Sequence, residues 1–329
     1  MTGRGAGPGG VRRALLAGIL AAAAACGVPS APATAQPGTE ARIDVDRALA
    51  DLAFLSADSL EGRKAGTRGN AIARDFLIRE FRAAGLEPVT EGFTASFPIG
   101  DGVTGVNVIG VRRGTDRPDR FMVVTAHYDH LGVVDGQIYN GADDNASGTA
   151  GILALARYFQ QHPPSNSILF VAFDAEEGGL RGARAFVNEP AMALDDIVIN
   201  INLDMVSRSA ADELYIAGTY HYPYLAPLVS RVAESARVEL LTGHDRPDLT
   251  SGDDWTRASD HGAFHDAGVP FLYFGVEDHP DYHRPTDDFE NIDPDFYGRA
   301  LETILDVILT LDRELDAVAA AAASARAPR

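Results

Sequence analysis

A single cysteine, Cys26, stands in the 329 residues, so the folded part of the chain has no internal disulfide and offers a metal no thiolate. Any metal it holds must be gripped by His, Asp and Glu. Basic residues are scarce beside acidic ones: 28 Lys and Arg against 47 Asp and Glu leave a formal charge of −19. Such a surface repels phosphate, which argues against nucleic acid and anionic lipid as partners. No apolar run reaches the length and hydrophobicity of a membrane span, and nothing reads as fibrous or repetitive. What is present is ordinary globular composition, 46% hydrophobic and 23% charged, enough for a sizeable core in one large domain or two small ones.

Arg4, Arg12 and Arg13 precede an apolar stretch over residues 14–28, the layout of a secretory signal. Two cleavage readings stand side by side. Ala33-Thr34-Ala35 fits the small-x-small rule for a soluble exported protein. Ala24-Ala25-Cys26-Gly27 resembles a bacterial lipobox, with Ala23 where Leu is usual, and would leave Cys26 lipidated. Residues 1–35 carry three Arg and no acid, so their removal takes the charge from −19 to −22. The expected organisation is a signal over 1–35 (ending at Ala25 in the lipoprotein reading), a linker over 36–43, one folded domain over 44–316 and a disordered Ala-rich tail over 317–329. The expected location is the periplasm, the cell envelope or the medium, with membrane contact only through a lipid on Cys26.

Within the domain, helical spacing of Ala48, Leu49, Leu52 and Leu55 predicts a helix over 45–55, and a second is expected over 70–84, closed by Gly85. Strands are expected over 93–98 and 106–111. Continuous apolar runs over 121–126, 168–173, 197–203 and 269–275 read as strands buried on both faces. A helix follows Gly148, capped by Ser147 or Asn145; helical patterns also cover 225–238 and 297–315. Strands alternating with helices imply an α/β three-layer sandwich, a mostly parallel, mixed and twisted sheet covered by helices on both faces.

The polar residues at the ends of those runs carry the chemistry. Ligands in such sheets sit beyond the carboxyl ends of the strands. His127, the pair Glu176 and Glu177, and Asp204 each follow a different apolar run; His283 lies after a fourth, and Asp143 opens a helix. Adjacent residues leaving a strand point to opposite sides, so one Glu can hold a metal while the other faces water. Two His and three carboxylates describe a site for two borderline divalent ions, zinc first, with manganese or cobalt as alternatives. Asp143 is the expected bridge between them. Asp129 is placed to orient the His127 ring.

His127-Tyr128-Asp129, Gly141-Ala142-Asp143-Asp144-Asn145-Ala146-Ser147-Gly148, Ala175-Glu176-Glu177-Gly178, Asn202-Leu203-Asp204-Met205 and Asp281-Tyr282-His283-Arg284-Pro285-Thr286-Asp287-Asp288 together resemble the signature segments of the M28 metallopeptidases, the co-catalytic zinc aminopeptidases. The Leu60-Glu61-Gly62-Arg63 loop resembles the family's opening segment. The resemblance implies two zinc ions shared by His127, Asp143, Glu177, Asp204 and His283, with Glu176 as general base, a peptide substrate, and a cis peptide between Asp143 and Asp144. It also makes Asp260, with His261 beside it, a candidate for orienting substrate. No stretch before His127 has room for the inserted domain that some relatives carry. Alternatives on the same fold are a single-zinc glutaminyl-peptide cyclase, a dipeptidase or carboxypeptidase, and a metal-free binding module.

Overall fold

The structure is a computed structural model and describes residues 41–248 and 253–326. The expected signal, both cleavage readings, Cys26 and most of the linker lie outside the described residues. Among the described residues no helix is long and apolar enough to cross a membrane.

In chain order the elements are α1 (Val45–Leu55), α2 (Arg68–Ala83), β1 (Glu87–Pro88), β2 (Thr94–Gly100), β3 (Val103–Arg112), β4 (Arg117–His127), β5 (Gly132–Val134), β6 (Gln137–Tyr139), α3 (Gly148–Gln161) and β7 (Asn166–Phe173). There follow α4 (Arg181–Asn188), β8 (Ile197–Leu203), β9 (Glu213–Ala217), α5 (Ala226–Ala233), β10 (Glu239–Thr242), α6 (His261–Asp266), β11 (Phe271–Gly275) and α7 (Pro294–Arg326).

One sheet runs β1-β3-β7-β4-β8-β11-β9-β10, with β2 also paired to β3. Its centre, β7-β4-β8-β11, is parallel throughout, while β3 and β9 join it antiparallel. The four apolar runs are therefore neighbours, and their carboxyl ends share one rim. Side-chain alternation divides the core in two. Met122, Val124 and Ala126 with Ile168, Phe170 and Ala172 meet α1, α3, α5 and α7 on one face. Val123 with Leu169, Val171 and Phe173 meets α4 and α6 on the other.

Local chemistry sets the helix starts. Asp44 caps α1 by accepting from the Arg47 N–H at 3.0 Å, and Thr67 caps α2 through the Asn70 N–H. Asn145 rather than Ser147 accepts the Gly148 N–H at the start of α3, at 2.9 Å. Two expectations are corrected. The helix expected over 225–238 is shorter, ending at Ala233. The Ala-rich tail is helical to Arg326, because alanine is the strongest helix former and Val318 packs into the core.

Candidate metal centre

The rim brings the polar strand ends together. His127 is the last residue of β4, fully buried, and its Nε2 stands 3.3 Å from Asp204 Oδ1, just beyond β8, and 3.4 Å from Asp144 Oδ1. Glu176 Oε2 lies 4.0 Å from the same nitrogen. The ring's other nitrogen meets the Asp129 carbonyl at 3.2 Å, with the Asp129 carboxylate at 3.8 Å. That carboxylate instead accepts the Glu176 backbone N–H at 3.0 Å, so Asp129 ties the ends of β4 and β7 together.

A second group forms around the other oxygen of Asp144. His283 Nε2 lies 3.0 Å from Asp144 Oδ2 and 3.5 Å from Glu177 Oε2. His130 joins them, its Nδ1 2.8 Å from Glu177 Oε1 and 3.9 Å from Asp144 Oδ2. His130 Nδ1 and Glu177 Oε1 are buried 2.8 Å apart as an ion pair, and among the described residues neither makes a well-formed hydrogen bond. Buried polar atoms are rarely left so. Donors that converge without such bonds fit a cation between them, and imidazole with carboxylate suits zinc, manganese or cobalt. His127, Asp144 and Asp204 form one such group, and His130, Asp144 and Glu177 another.

The expected bridge is thus displaced by one residue. Asp143 is fully buried but turned away: its Oδ1 accepts from the Ser207 N–H and Oγ–H at 2.8 and 2.7 Å, and its Oδ2 meets His279 Nε2 at 3.1 Å. Asp144 holds the shared position because the irregular turn over Ala142–Ser147 sends the two side chains apart. The cis peptide lies between Asp144 and Asn145, not between Asp143 and Asp144. Asp287 fixes this turn, its two carboxylate oxygens accepting the N–H groups of Asp143 and Asp144 at 3.0 Å each.

His127, Glu177, Asp204, His283, Glu176 and Asp129 all stand where the strand-end argument puts them. Asp260 is fully buried, neither of its carboxylate oxygens is hydrogen-bonded among the described residues, and its charge bears on Glu176. His261 is not on the pocket wall; its Nε2 meets the Trp255 carbonyl at 2.7 Å, between the rings of Phe271 and Tyr273. His130, which the sequence suggests only as a structural or pocket-lining histidine, instead joins the second donor group. Its one signal was its place three residues after His127, where a turn at the rim returns it to the site.

Burial dominates the electrostatics. It raises the Glu176 carboxyl well above its usual range, with His127 opposing and Asp260 and Asp204 adding to the rise. It raises Asp204 and Asp129 likewise, and lifts Asp260 to about 7. Hydrogen bonds that it donates to the carboxylates of Asp144 and Glu177 raise the His283 imidazole to about 10. Burial would raise Glu177, but His130 and His283 outweigh it and hold the carboxyl low. A divalent cation among these groups relieves the crowding of carboxylates and keeps them ionised.

The site opens into a cavity of about 410 Å³ lined by Met205, Trp255, Tyr273, Val276 and Tyr282, with Arg184 at its edge. Its walls mix aromatic and aliphatic side chains with Arg257 and Asp278, and the imidazole and carboxylate donors form its floor.

The chain and its fold have counterparts among known proteins. The profile described as Peptidase family M28 matches residues 107–308. Aminopeptidase YwaD of Bacillus subtilis (strain 168) is 36% identical over 204 residues, 57% of this chain and 41% of the relative. A probable zinc metalloprotease of Pyrenophora tritici-repentis is 32% identical over 176 residues, 49% of this chain and 40% of that protein. The matched stretches span about two fifths of these two curated relatives. Among solved structures, a zinc aminopeptidase from Bacillus subtilis superposes with a TM-score of 0.66 at 19% identity, covering 82% of this chain and 95% of the other. A glutaminyl cyclase from Porphyromonas gingivalis also superposes at 0.66, with 24% identity, covering 84% and 100%. At these identities the structural matches carry the fold alone.

Proposed function

The chain belongs to peptidase family M28, and we propose that it is an exported aminopeptidase that releases N-terminal residues from peptides with two zinc ions. The observation that carries the two-metal reading is the pair of donor groups meeting on the two oxygens of Asp144. His127 and Asp204 would hold one ion, Glu177 and His283 the other, with His130 beside Glu177 in that second group. When bound, zinc supplies Lewis-acid polarisation of the scissile carbonyl and lowers the pKa of water.

The chain's own residues do the rest. Glu176 is positioned through its backbone by Asp129, close to both donor groups. Its carboxylate takes a proton from the attacking water and returns it to the leaving amine. Its buried setting raises its proton affinity, which suits a group that must accept and then give. Asp129, Asp287 and Thr149, whose hydroxyl donates to the His127 carbonyl at 2.6 Å, keep the rim in register.

Export rests on the charged-then-apolar start of the chain, followed by cleavage near Ala35 or lipidation of Cys26. The competing activity is glutaminyl-peptide cyclisation with a single zinc. The second donor group favours the peptidase. The test is Glu176→Gln in the zinc-loaded protein, assayed on aminoacyl-p-nitroanilides and on glutaminyl peptides. Loss of about 10²- to 10⁴-fold in hydrolysis with zinc retained supports the reading. Unchanged turnover places the base elsewhere, and cyclisation without hydrolysis in the parent enzyme replaces the peptidase.

A further inference from the structure

A second, larger cavity of about 650 Å³ lies beside the metal cleft, between α4 and the strands β2 and β3. Its origin is the placement of α4. Phe186 turns toward Phe173 and Phe264, with ring centres 5.7 Å from each, so the helix seats over β7 and α6. The face of β2 and β3 beyond it is left as the wall of a groove, with Ala95, Phe97, Ile109 and Phe186 making an apolar lining.

The groove and the cleft are continuous, because Gly179 and Arg184 border both. Gly179 has φ +100°, and a Cβ there would meet nothing within 4 Å, so no side chain closes the passage. Arg181 braces it, donating to the Gly178 carbonyl at 2.9 Å and the Ile99 carbonyl at 2.7 Å. One turn further along α4, Arg184 is exposed and makes no ion pair among the described residues, in a chain whose net charge is −19. An eight-residue helix is about 12 Å long, the reach of three or four extended residues at about 3.3 Å each.

Resting on the aminopeptidase reading, we infer that this groove binds the part of the peptide that follows the scissile bond. The substrates it selects are oligopeptides of three or more residues with apolar side chains after the first. The N-terminal residue occupies the metal cleft, the chain crosses Gly179, and its apolar side chains fill the groove. Arg184 sets its charge beside the backbone carbonyls where the departing segment crosses from cleft to groove. Continuity with the cleft and charge complementarity at its mouth identify the occupant; a second protein would have no need of the passage.

Two measurements on the full zinc-loaded chain test this. The first compares kcat/KM for Leu-amide, Leu-Phe and Leu-Phe-Leu-Leu in the parent and in Ala95→Trp, which fills the groove from β2 on the face that Ala95 shares with Phe97 and Ile109. The tetrapeptide should exceed the amide by about tenfold or more, the equivalent of one buried apolar side chain. Ala95→Trp should collapse that ratio, and Arg184→Glu should reduce it. A flat series in the parent, or an unchanged ratio in Ala95→Trp, overturns the inference.

The second measures calorimetric binding of acetyl-Leu-Phe-Leu-Leu, whose blocked amine prevents aminopeptidase turnover. Weaker binding by about tenfold in Ala95→Trp supports the groove even if the parent hydrolyses nothing, the result that would remove the aminopeptidase reading instead. Equal binding by both proteins rejects the groove.

Discussion

Asp129 holds Glu176 by its backbone: Oδ1 of the first accepts the N–H of the second at 3.0 Å, joining the end of β4 to the loop beyond β7. The carboxylate of Glu176 is thereby placed without being engaged itself. Asp129→Ala should cut kcat by about 10- to 100-fold, as expected when a group that orients the site is lost. Zinc content measured on the same preparation should stay near that of the parent. Loss of metal in step with activity would instead make Asp129 part of the metal's support.

Asp287 does for the Asp144 turn what Asp129 does for Glu176, accepting two successive N–H groups. Asp287→Ala leaves both buried donors without partners, which costs about 1 to 3 kcal/mol each. Chelator competition should show zinc affinity weaker by about 10- to 100-fold, because the shared carboxylate is no longer held.

This turn is also where the sequence was least informative. The apolar runs before His127, Glu176 and Asp204 announce buried strands, and the rim rule then assembles most of the site. Nothing in Asp143-Asp144 tells which carboxylate faces the rim, since the residues are identical and the local backbone follows neither the helix nor the strand period. His130 escaped for a similar reason: its position depends on the turn after β4, not on periodicity. Helix α7 ran past its expected end because a run of alanines reads equally as a tail or a helix until Val318 is seen to pack.

Arg63 closes the loop that resembled the family's opening segment. Its fully buried guanidinium donates to the carbonyls of Leu55, Tyr128, Asn140 and Gly141, behind both loops that carry metal donors. Burial lowers its pKa to about 10, so it stays charged at neutral pH beside Asp144 and Asp129. Arg63→Met should destabilise the metal-free protein by about 3 to 5 kcal/mol in denaturant titration. Arg63→Lys, which keeps the charge but not the four-carbonyl fork, should fall between.

His261 gives a pH signature of defined sign. Burial lowers its pKa to about 3, so the folded chain keeps it neutral while the unfolded chain protonates it below about 6.5. Its contribution is present above that pH and is lost as pH falls toward 3. Asp260, raised to about 7 by burial, acts in the opposite direction, binding a proton in the folded chain first. The difference between His261→Asn and the parent isolates the histidine. In metal-free protein it should shift by about 3 kcal/mol in the variant's favour between pH 7 and pH 4, read from urea midpoints and slopes. A difference that stays constant with pH would mean that His261 titrates normally.

The most direct test of the central claim is the zinc content of the purified mature chain, by mass spectrometry after dialysis against trace zinc, for the parent and for Asp144→Ala and Asp143→Ala. Two zinc ions per chain are predicted for the parent, with Asp144→Ala losing most of both and Asp143→Ala retaining more. One zinc in the parent, or metal lost through Asp143 rather than Asp144, would contradict a two-metal site bridged by Asp144.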